Sequence, residues 1–192
     1  MFRSSLKSCF YEGADGQSWT PDIRFGNTLQ LAGFYGKIEL LHFLQKQGIK
    51  DTPGGHFQTA FQSAAAGGHV PTVKLLLQID TYMGSVNQVG GDYGTALCAA
   101  CACGKIEVVK ALLGVGARRD LDGKHFGAPL HVAVLMENRE IVELLIGNNP
   151  KDADCTWDGV GTAVNVAGYI QNRPLFDLLW QNDLRGDQNA SA

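Results

Sequence analysis

The chain is built from a repeating unit, and this repeat is the feature that most constrains its fold. Five segments carry one pattern at spacings of 32, 36, 33 and 34 residues, and each aligns on an apolar anchor residue: Leu29, Phe61, Leu97, Leu130 and Val164. Every unit has alanine three positions after its anchor and leucine fifteen positions after it. A period of this length predicts a stacked solenoid, because each unit buries its apolar face against its neighbours.

Each unit has the pattern of two short helices joined by a tight turn. In the third unit, small residues over 95–103 predict the first helix, and an apolar face over 106–113 predicts the second. In three units the first helix is followed by a glycine, which suits the left-handed residue that ends a helix: Gly36, Gly68 and Gly104. Glu137 and Gln171 take that position in the last two units. We therefore expect those two helix ends to run differently.

The constant residues have packing roles. Adjacent first helices must approach closely, and a side chain larger than alanine would overpack at these positions: Ala32, Ala64, Ala100, Ala133 and Ala167. The constant leucines are expected to pack between neighbouring second helices: Leu44, Leu76, Leu112, Leu145 and Leu179. Truncating such a leucine to alanine should cost about 2–5 kcal/mol. These residues serve stability, and we assign them no further role.

Composition argues against several classes of function. The chain has 192 residues, 45% hydrophobic and 18% charged, which is ordinary for one domain. A net charge of -3 gives no basic field for nucleic acid. The sequence predicts neither a membrane-spanning run nor a signal peptide. Five cysteines, an odd number with three in one helical segment, favour reduced thiols in the cytoplasm, with the nucleus as the alternative.

The repeated unit resembles the ankyrin repeat. A turn, Thr-Ala/Pro-Leu, a short helix, glycine and Ile/Val-Val-x-x-Leu-Leu recur in register, and Ala-Pro-Leu-His-Val-Ala at 128–133 is the closest local match. Residues 90–97, Gly-Gly-Asp-Tyr-Gly-Thr-Ala-Leu, are similar to repeats of large fungal ankyrin proteins. The resemblance implies an all-α solenoid of helix-turn-helix units with short protruding hairpin turns. It also implies that the turns and first helices line a concave face that binds proteins.

The same resemblance divides the chain into three parts. Residues 20–183 are expected to form five ankyrin repeats. Residues 1–19 are expected to be an N-terminal cap or a degenerate half-repeat. Residues 184–192 carry no apolar periodicity and are expected to form a flexible tail.

The concave face is expected to be lined by two residues of each unit, five and six positions after the anchor, here called the groove pairs. They are Phe34 and Tyr35, Ala66 and Gly67, Ala102 and Cys103, Leu135 and Met136, and Tyr169 and Ile170. Solvated helix faces normally carry charge, but no groove pair does, and large residues at both ends flank small ones. Exposed apolar patches of this kind mark binding sites. The alternative is that flanking segments or another copy cover them.

The hairpin tips form the second candidate surface, and an aromatic position lies beside them. Phe25, Phe57, Tyr93 and Phe126 share that position, with Val160 in the last unit. They form either a stripe for a ligand or, as we favour, the filling beneath each hairpin, because a feature of most units is usually core. From tips and groove together the predicted partner-binding residues are Arg24, Phe34, Tyr35, His56, Asp92, Cys103, Lys124, His125, Leu135, Met136, Trp157, Asp158, Tyr169 and Ile170.

Three cysteines in one segment, Cys98, Cys101 and Cys103, invite a metal interpretation. On a helix they point in different directions, and no second cluster completes four ligands. Small core packing is therefore the favoured interpretation, and no metal or cofactor is predicted. Cys103, which lies in a groove pair, is the thiol that we expect to be exposed and reactive.

The residues directly after the anchors raise the question of catalysis. Cys98, His131 and Asn165 stack the residue types of a thiol hydrolase. Adjacent helices lie about 8–10 Å apart, whereas a nucleophile and its base must lie within about 2.6–3.2 Å. His131 also lacks the usual threonine at position 128, so it is either bonded to neighbouring backbone or freer than usual. If the chain is an enzyme, the acid–base candidates are His131 and the tip residues His56, His125, Asp92 and Asp158.

The sequence favours a non-enzymatic module that binds another protein through the groove and the turn tips. The alternative is a small-molecule-binding or unconventional enzymatic protein with a pocket between Tyr35 and Tyr169. A third possibility is a structural spacer or a self-associating array. No feature of the sequence predicts a nucleic-acid or membrane partner.

Overall fold

The computed structural model describes residues 25–78, 86–121, 123, 125–147 and 156–189, with side-chain surroundings up to residue 182. These ranges contain ten helices: α1 Thr28–Phe34, α2 Ile38–Lys46, α3 Ala60–Gly67, α4 Val70–Gln78, α5 Ala96–Ala102, α6 Ile106–Gly114, α7 Pro129–Leu135, α8 Arg139–Ile146, α9 Ala163–Tyr169 and α10 Arg173–Asn189. Extended pairing within the same ranges is limited to isolated bridges, three of them inside hairpin tips. The predicted all-α solenoid with hairpin turns is confirmed.

The helices form two packed rows. The odd-numbered first helices, α1 to α9, pack side by side in chain order. The even-numbered second helices form the other row, where α4 contacts α6 and α6 contacts α8, and each second helix packs on its own first helix. The first helices make the more extensive row of contacts, so the core lies mainly between them.

The first helices of units one and two, α1 and α3, come into backbone contact. A Cβ added to Gly33 would lie 2.6 Å from the Ala60 carbonyl oxygen, and one added to Gly67 would lie 2.1 Å from the Phe34 carbonyl oxygen. Both distances are too short for any side chain atom. The five constant alanines are all buried, as the repeat predicts: Ala32, Ala64, Ala100, Ala133 and Ala167. Small residues are therefore a condition for stacking the units at this spacing.

The constant leucines are not equivalent. Those of units two to five are fully buried: Leu76, Leu112, Leu145 and Leu179. Leu44 in the first unit is only half-buried, and Leu41 is the fully buried leucine of its helix. Leu44 still packs against the core, but it is covered less completely than the other four leucines. No described unit precedes the first one, so nothing described covers this side of α2 and Leu44.

The first helices of all five units end alike. Gly36, Gly68 and Gly104 have φ of 64°, 88° and 65°. Glu137 and Gln171 have φ of 56° and 60°, and their backbone N–H groups donate to carbonyls three residues back, as that of Gly36 does. The expectation that the last two helix ends run differently is wrong. The turn keeps its left-handed residue although a side chain there costs about 1–2 kcal/mol.

The last helix is longer than the others. α10 spans 17 residues, whereas the other second helices have eight or nine. The boundary at residue 183 predicted from the sequence therefore falls inside a helix, which continues to Asn189. The predicted cap at 1–19 lies outside the described residues.

The left-handed positions lead to a reciprocal stability prediction. Gln171→Gly should raise the free energy of unfolding by about 0.5–1 kcal/mol, because it removes backbone strain that outweighs the added freedom of the unfolded chain. Gly104→Gln should lower it by a similar amount, since the added Cβ meets only Asn138 Nδ2 at 3.5 Å and the cost is one of backbone conformation. Urea denaturation followed by circular dichroism measures both. A loss of stability in Gln171→Gly would contradict the strain argument.

Candidate binding face

The groove pairs lie at the C-terminal ends of the first helices, and they differ widely in exposure. Tyr35 is 52% exposed and Tyr169 is 80% exposed. Between them Ala66 and Ala102 are buried, because neighbouring first helices cover them. The remaining groove-pair residues are half-buried: Phe34, Gly67, Cys103, Leu135, Met136 and Ile170. The face therefore presents two tyrosine rings at its ends and a low surface of small and aliphatic residues between them.

The tyrosine at the N-terminal end is held by a cluster of rings. Tyr35 contacts Phe34 edge-on, with ring centroids 5.4 Å apart, and lies 6.5 Å from Phe25. Phe34 in turn contacts Phe25 edge-on at 5.2 Å and Phe57 at 5.7 Å. These contacts fix the position of the half-exposed Tyr35 ring. A pre-positioned ring loses little conformational freedom when a partner packs on it.

The aromatic position beside the tips forms a continuous stack. Centroids lie 5.8 Å apart for Phe25 and Phe57, 5.5 Å for Phe57 and Tyr93, and 5.8 Å for Tyr93 and Phe126, with ring planes within 26° of parallel. Phe57 and Tyr93 are buried, and the two outer rings are half-buried. Their packing under the hairpins agrees with the favoured interpretation. Val160, in the last unit, is 39% exposed.

Two of the candidate acid–base residues are brought together on adjacent tips. His56 Nδ1 pairs with Asp92 Oδ2 although 36 residues separate them. The backbone N–H of Asp92 also donates to the His56 carbonyl oxygen, at 2.8 Å. Both side chains remain close to half exposed. The pair ties the second and third hairpins together and offers a polar rim beside the groove.

The other tip candidates are not assembled into a cluster. His125 is exposed and meets Phe126 edge-on at 6.4 Å, and Asp158 is exposed on its own hairpin. No bond joins His125 to Asp158 in the described part of the chain. Trp157 is half-buried and contacts the His131 ring edge-on, at 6.0 Å. Arg24 and Lys124 lie outside the described residues, so their predicted roles remain predictions.

The residue directly after each anchor bridges to the next unit. Gln30 Nε2 donates to the Gln58 carbonyl at 3.0 Å, and Gln62 Nε2 donates to the Gly94 carbonyl at 3.0 Å. Cys98 Sγ lies 4.0 Å from the Gly127 carbonyl oxygen, and His131 Nε2 lies 3.1 Å from that of Gly161. All four acceptors occupy one position, three residues before the next anchor.

This bridging accounts for the row that resembles a thiol hydrolase. His131 is 1% exposed, and its Nε2 must carry the proton that is donated to Gly161, because a carbonyl oxygen only accepts. Cys98 is fully buried, and its Sγ is directed at the Gly127 carbonyl oxygen. The sequence left two possibilities for His131, a bond to neighbouring backbone or a freer ring, and the structure shows the first. The row aligns repeats, and it holds no nucleophile beside a base.

Two of the three clustered cysteines lie in the core, and the third follows the end of α5. Cys98 and Cys101 are fully buried and Cys103 is half-buried. Burial raises the pKa of the Cys101 thiol well above its usual range, and it raises the pKa of Cys103 to about 12, with a smaller opposing effect of Lys105. The expectation that Cys103 is exposed and reactive is therefore wrong. Its neighbours exclude water from the thiolate, which is the reactive form.

We expect Cys103 to resist alkylation in the folded protein. With a pKa of about 12, its thiolate fraction at pH 8 is about 10⁻⁴. Titration of native protein with a disulfide reagent at pH 8 should give the same number of fast-reacting thiols in wild type and in Cys103→Ala. In denaturant the variant should show one thiol fewer than the five of the wild type. Loss of a fast thiol from the native variant would show that Cys103 is accessible.

The bridge at His131 can be tested by substitution with the residue that the first two units use. His131→Ala should lower the free energy of unfolding by about 0.5–1.5 kcal/mol, because the bond to the Gly161 carbonyl is lost while that oxygen keeps the Trp157 N–H. His131→Gln should restore a large part of that loss, since glutamine makes the same bond at Gln30 and Gln62. Urea denaturation of the three proteins measures this. Equal instability of both variants would mean that ring shape matters rather than donation.

Sequence reasoning missed Gln58 and Asp51. Gln58 has a left-handed φ of 62°, and its Oε1 accepts the Gly91 N–H of the next hairpin at 2.7 Å. The available signal was a broken repeat, because the other four units have glycine at that position. Asp51 accepts the Ala60 N–H at 2.6 Å, and burial raises its pKa although that bond opposes the shift. The repeat also marked Asp51, because four units carry Asp or Asn ten positions before the anchor: Asp51, Asn87, Asp120 and Asp154.

Two cavities are lined by described residues, and neither lining includes Tyr35 or Tyr169. One of 410 Å³ lies beside second helices and is lined by Gly68, Lys105, Ile106, Glu107, Val108 and Glu140. The other, of 230 Å³, lies at the C-terminal end of the array and is lined by Ala167, Gly168, Gln171, Asn172, Arg173 and Phe176.

In the described ranges, no three His, Cys, Asp or Glu residues are grouped to hold a metal. No helix there is long and apolar enough to cross a membrane.

Comparison with known protein families gives one match. A family model described as ankyrin repeats, three copies, matches residues 29–121 and 79–157, which together span 29–157. The matched span covers four of the five anchors and well over half of the chain. A comparison with curated proteins finds no match.

Proposed function

This chain belongs to the ankyrin-repeat family, and we propose that it binds a partner protein through its groove pairs and adjoining hairpin tips. Ankyrin repeats are generally protein-interaction modules, and stacked repeats create extended binding surfaces. The observation that carries the choice of face is the pair of exposed tyrosines, Tyr35 and Tyr169, at the two ends of an uncharged surface. Large exposed rings on a surface without charged residues are typical of a protein-interaction site.

The chemistry of the face suits a partner with apolar side chains and some polar ends. Tyrosine supplies a large apolar ring and one hydroxyl, which is why it is enriched among residues that dominate binding energy. The buried Ala66 and Ala102 leave the middle of the face low, so larger partner side chains have room there. The paired His56 and Asp92 provide a polar rim next to it. An apolar centre with a polar rim is the usual anatomy of a protein interface.

The small-molecule and enzymatic alternative has less support. It requires a pocket with converging polar groups between Tyr35 and Tyr169. Neither of the cavities given above is lined by Tyr35 or Tyr169. His131, which would be the base, is occupied with the Gly161 carbonyl. We therefore propose binding without catalysis.

The test compares capture by matched surface variants. Tyr35→Ala/Tyr169→Ala removes both exposed rings, and the control Val115→Ala removes an exposed apolar side chain at the end of α6, outside the groove pairs and the hairpin tips. Proteins retained by the wild type and the control should be lost from the tyrosine variant. With a purified partner, calorimetry should give a Kd increased at least about tenfold, since each lost anchor costs about 1–2 kcal/mol. Unchanged capture by a folded tyrosine variant would show that the face is not the binding site.

A further inference from the structure

The middle of the groove is a hollow formed by interior units of the array. Its floor consists of the groove pairs of units two and three, and Ala66 and Ala102 are buried there, at 1% and 7% exposed. Gly67 and Cys103 are half-buried, and they form the accessible part of the floor. Units two and three each have a described unit on both sides. The low floor is therefore a property of interior packing and does not arise from an open end of the array.

The walls of the hollow are the larger groove pairs of units one and four: Phe34, Tyr35, Leu135 and Met136. Tyr35 is 52% exposed and contacts Phe34 edge-on, and Leu135 and Met136 are half-buried. Adjacent first helices lie about 8–10 Å apart, so three such spacings place the axes of the two wall helices about 24–30 Å apart. An α-helix with its side chains is about 10–12 Å across. One helix therefore fits between the walls.

The hollow offers few hydrogen-bonding groups to the backbone of a partner. The N–H groups of Tyr35, Cys103 and Met136 donate to carbonyls four residues back in their own units, at 3.0–3.1 Å. The N–H groups of Gly104 and Lys105, which follow Cys103, donate to carbonyls of α5. The extended pairs in the described hairpins are isolated bridges, so they present no strand edge to which a partner strand could add. An extended partner backbone would therefore find few bonds here.

The conformation of a partner segment follows from this lack of bonding groups. A segment that lies in the hollow in an extended conformation would bury peptide N–H and C=O groups without partners, which is costly. An α-helix satisfies its backbone groups internally and presents its side chains to the surface. Amphipathic helices that bind in apolar grooves do so through residues three and four positions apart. The hollow therefore favours a helical segment over an extended one.

Charge complementarity restricts the surface of such a helix. No groove pair carries a charged side chain, so the stripe of the helix that faces the hollow must be uncharged. The charge of Lys105 opposes the effect of burial on the pKa of the Cys103 thiol, so Lys105 lies beside the floor. Lys105 forms no ion pair in the described part of the chain, and Lys110 binds the nearby Glu107 and Glu140, at 2.9 and 3.7 Å. The flank of the helix next to Lys105 is therefore expected to carry acidic rather than basic side chains.

We propose that the partner presents an amphipathic α-helix to this face, with its apolar stripe over the hollow and one large apolar side chain seated on Gly67 and Cys103. This proposal rests on the binding function given above, and it adds the class of partner segment and the place where that segment lies. Tyr35 and Met136 contact the helix from either side. The small residues of the floor then serve binding as well as packing, because they leave room for the partner side chain.

The test selects binders of the full chain from two displayed peptide libraries. Both contain segments of about 18 residues, which is about five helical turns. One library places variable apolar residues at helical spacing among alanine, glutamate and lysine, and the other places them at alternate positions among threonine and serine. Binders of the wild-type chain should come from the helical library, with acidic residues enriched on one flank of the apolar stripe.

Two results of the selection overturn the proposal. The first is that the binders come mainly from the alternating library, because the hollow then takes an extended segment. The second is that neither library gives a binder, which is expected if another part of the chain or a second copy fills the hollow. The capture test described above still decides the tyrosine face in that case.

Variants of Cys103 test where the helical binders lie. Cys103→Tyr raises the floor with the residue that unit one carries at the same position, and it should increase the Kd measured by calorimetry at least about tenfold. Cys103→Ala keeps the floor low and should leave the Kd within about twofold of the wild-type value. Should Cys103→Tyr fail to fold by circular dichroism, Met136→Glu replaces it, because it places a charge in a wall of the hollow and should weaken binding by a similar factor.

The outcomes separate this proposal from the binding function on which it rests. If the binders are lost from Tyr35→Ala/Tyr169→Ala but retained by a folded Cys103→Tyr, no helix lies in the hollow, and the tyrosine face remains the binding site. If both variants retain the binders, the groove is not the surface that is bound, and that result contradicts both proposals.

Discussion

The backbones of the first helices of units one and two lie so close together that only a hydrogen atom fits at the contact, and small residues also line the contacts between the later first helices. Gly33 faces the Ala60 carbonyl and Gly67 faces the Phe34 carbonyl with no room for a larger group. The same closeness buries Ala66 and Ala102 in the middle of the groove, so that only the end tyrosines stand clear of it. Packing thereby limits which residues can meet a partner.

Register between units is maintained by polar side chains that differ in type but share one acceptor position. Glutamine, glutamine, cysteine and histidine each reach the carbonyl three residues before the next anchor. Each of these carbonyls also accepts a backbone N–H of its own hairpin, so the side chain adds a second bond, and any donor of suitable length can make it. This explains how a row of Cys98, His131 and Asn165 can resemble catalytic machinery while serving alignment. The last member of the row, Asn165, accepts the hydroxyl of Thr162 in its own unit, at 2.7 Å.

The turn after the first helix shows where residue-by-residue interpretation fails. Glycine at Gly36, Gly68 and Gly104 indicated a left-handed turn, and its absence at Glu137 and Gln171 suggested a different one. All five turns are alike, because the backbone hydrogen bonds of the turn and the packing of both helices outweigh a local cost of about 1–2 kcal/mol. The aromatic stack, by contrast, was predictable, since its position recurs in four units.

Periodicity alone determined the fold class, the five anchors, the constant alanines and the inward role of the aromatic position, because a repeat must bury the same positions against each neighbour. Only the tertiary structure decided which groove residues are exposed, that Cys103 is shielded, that His56 meets Asp92, and that Leu44 differs from the other leucines. The physical reason is that exposure depends on what lies on both sides of a unit. A repeated sequence looks the same at the ends of an array as in its middle, whereas the packing there is different.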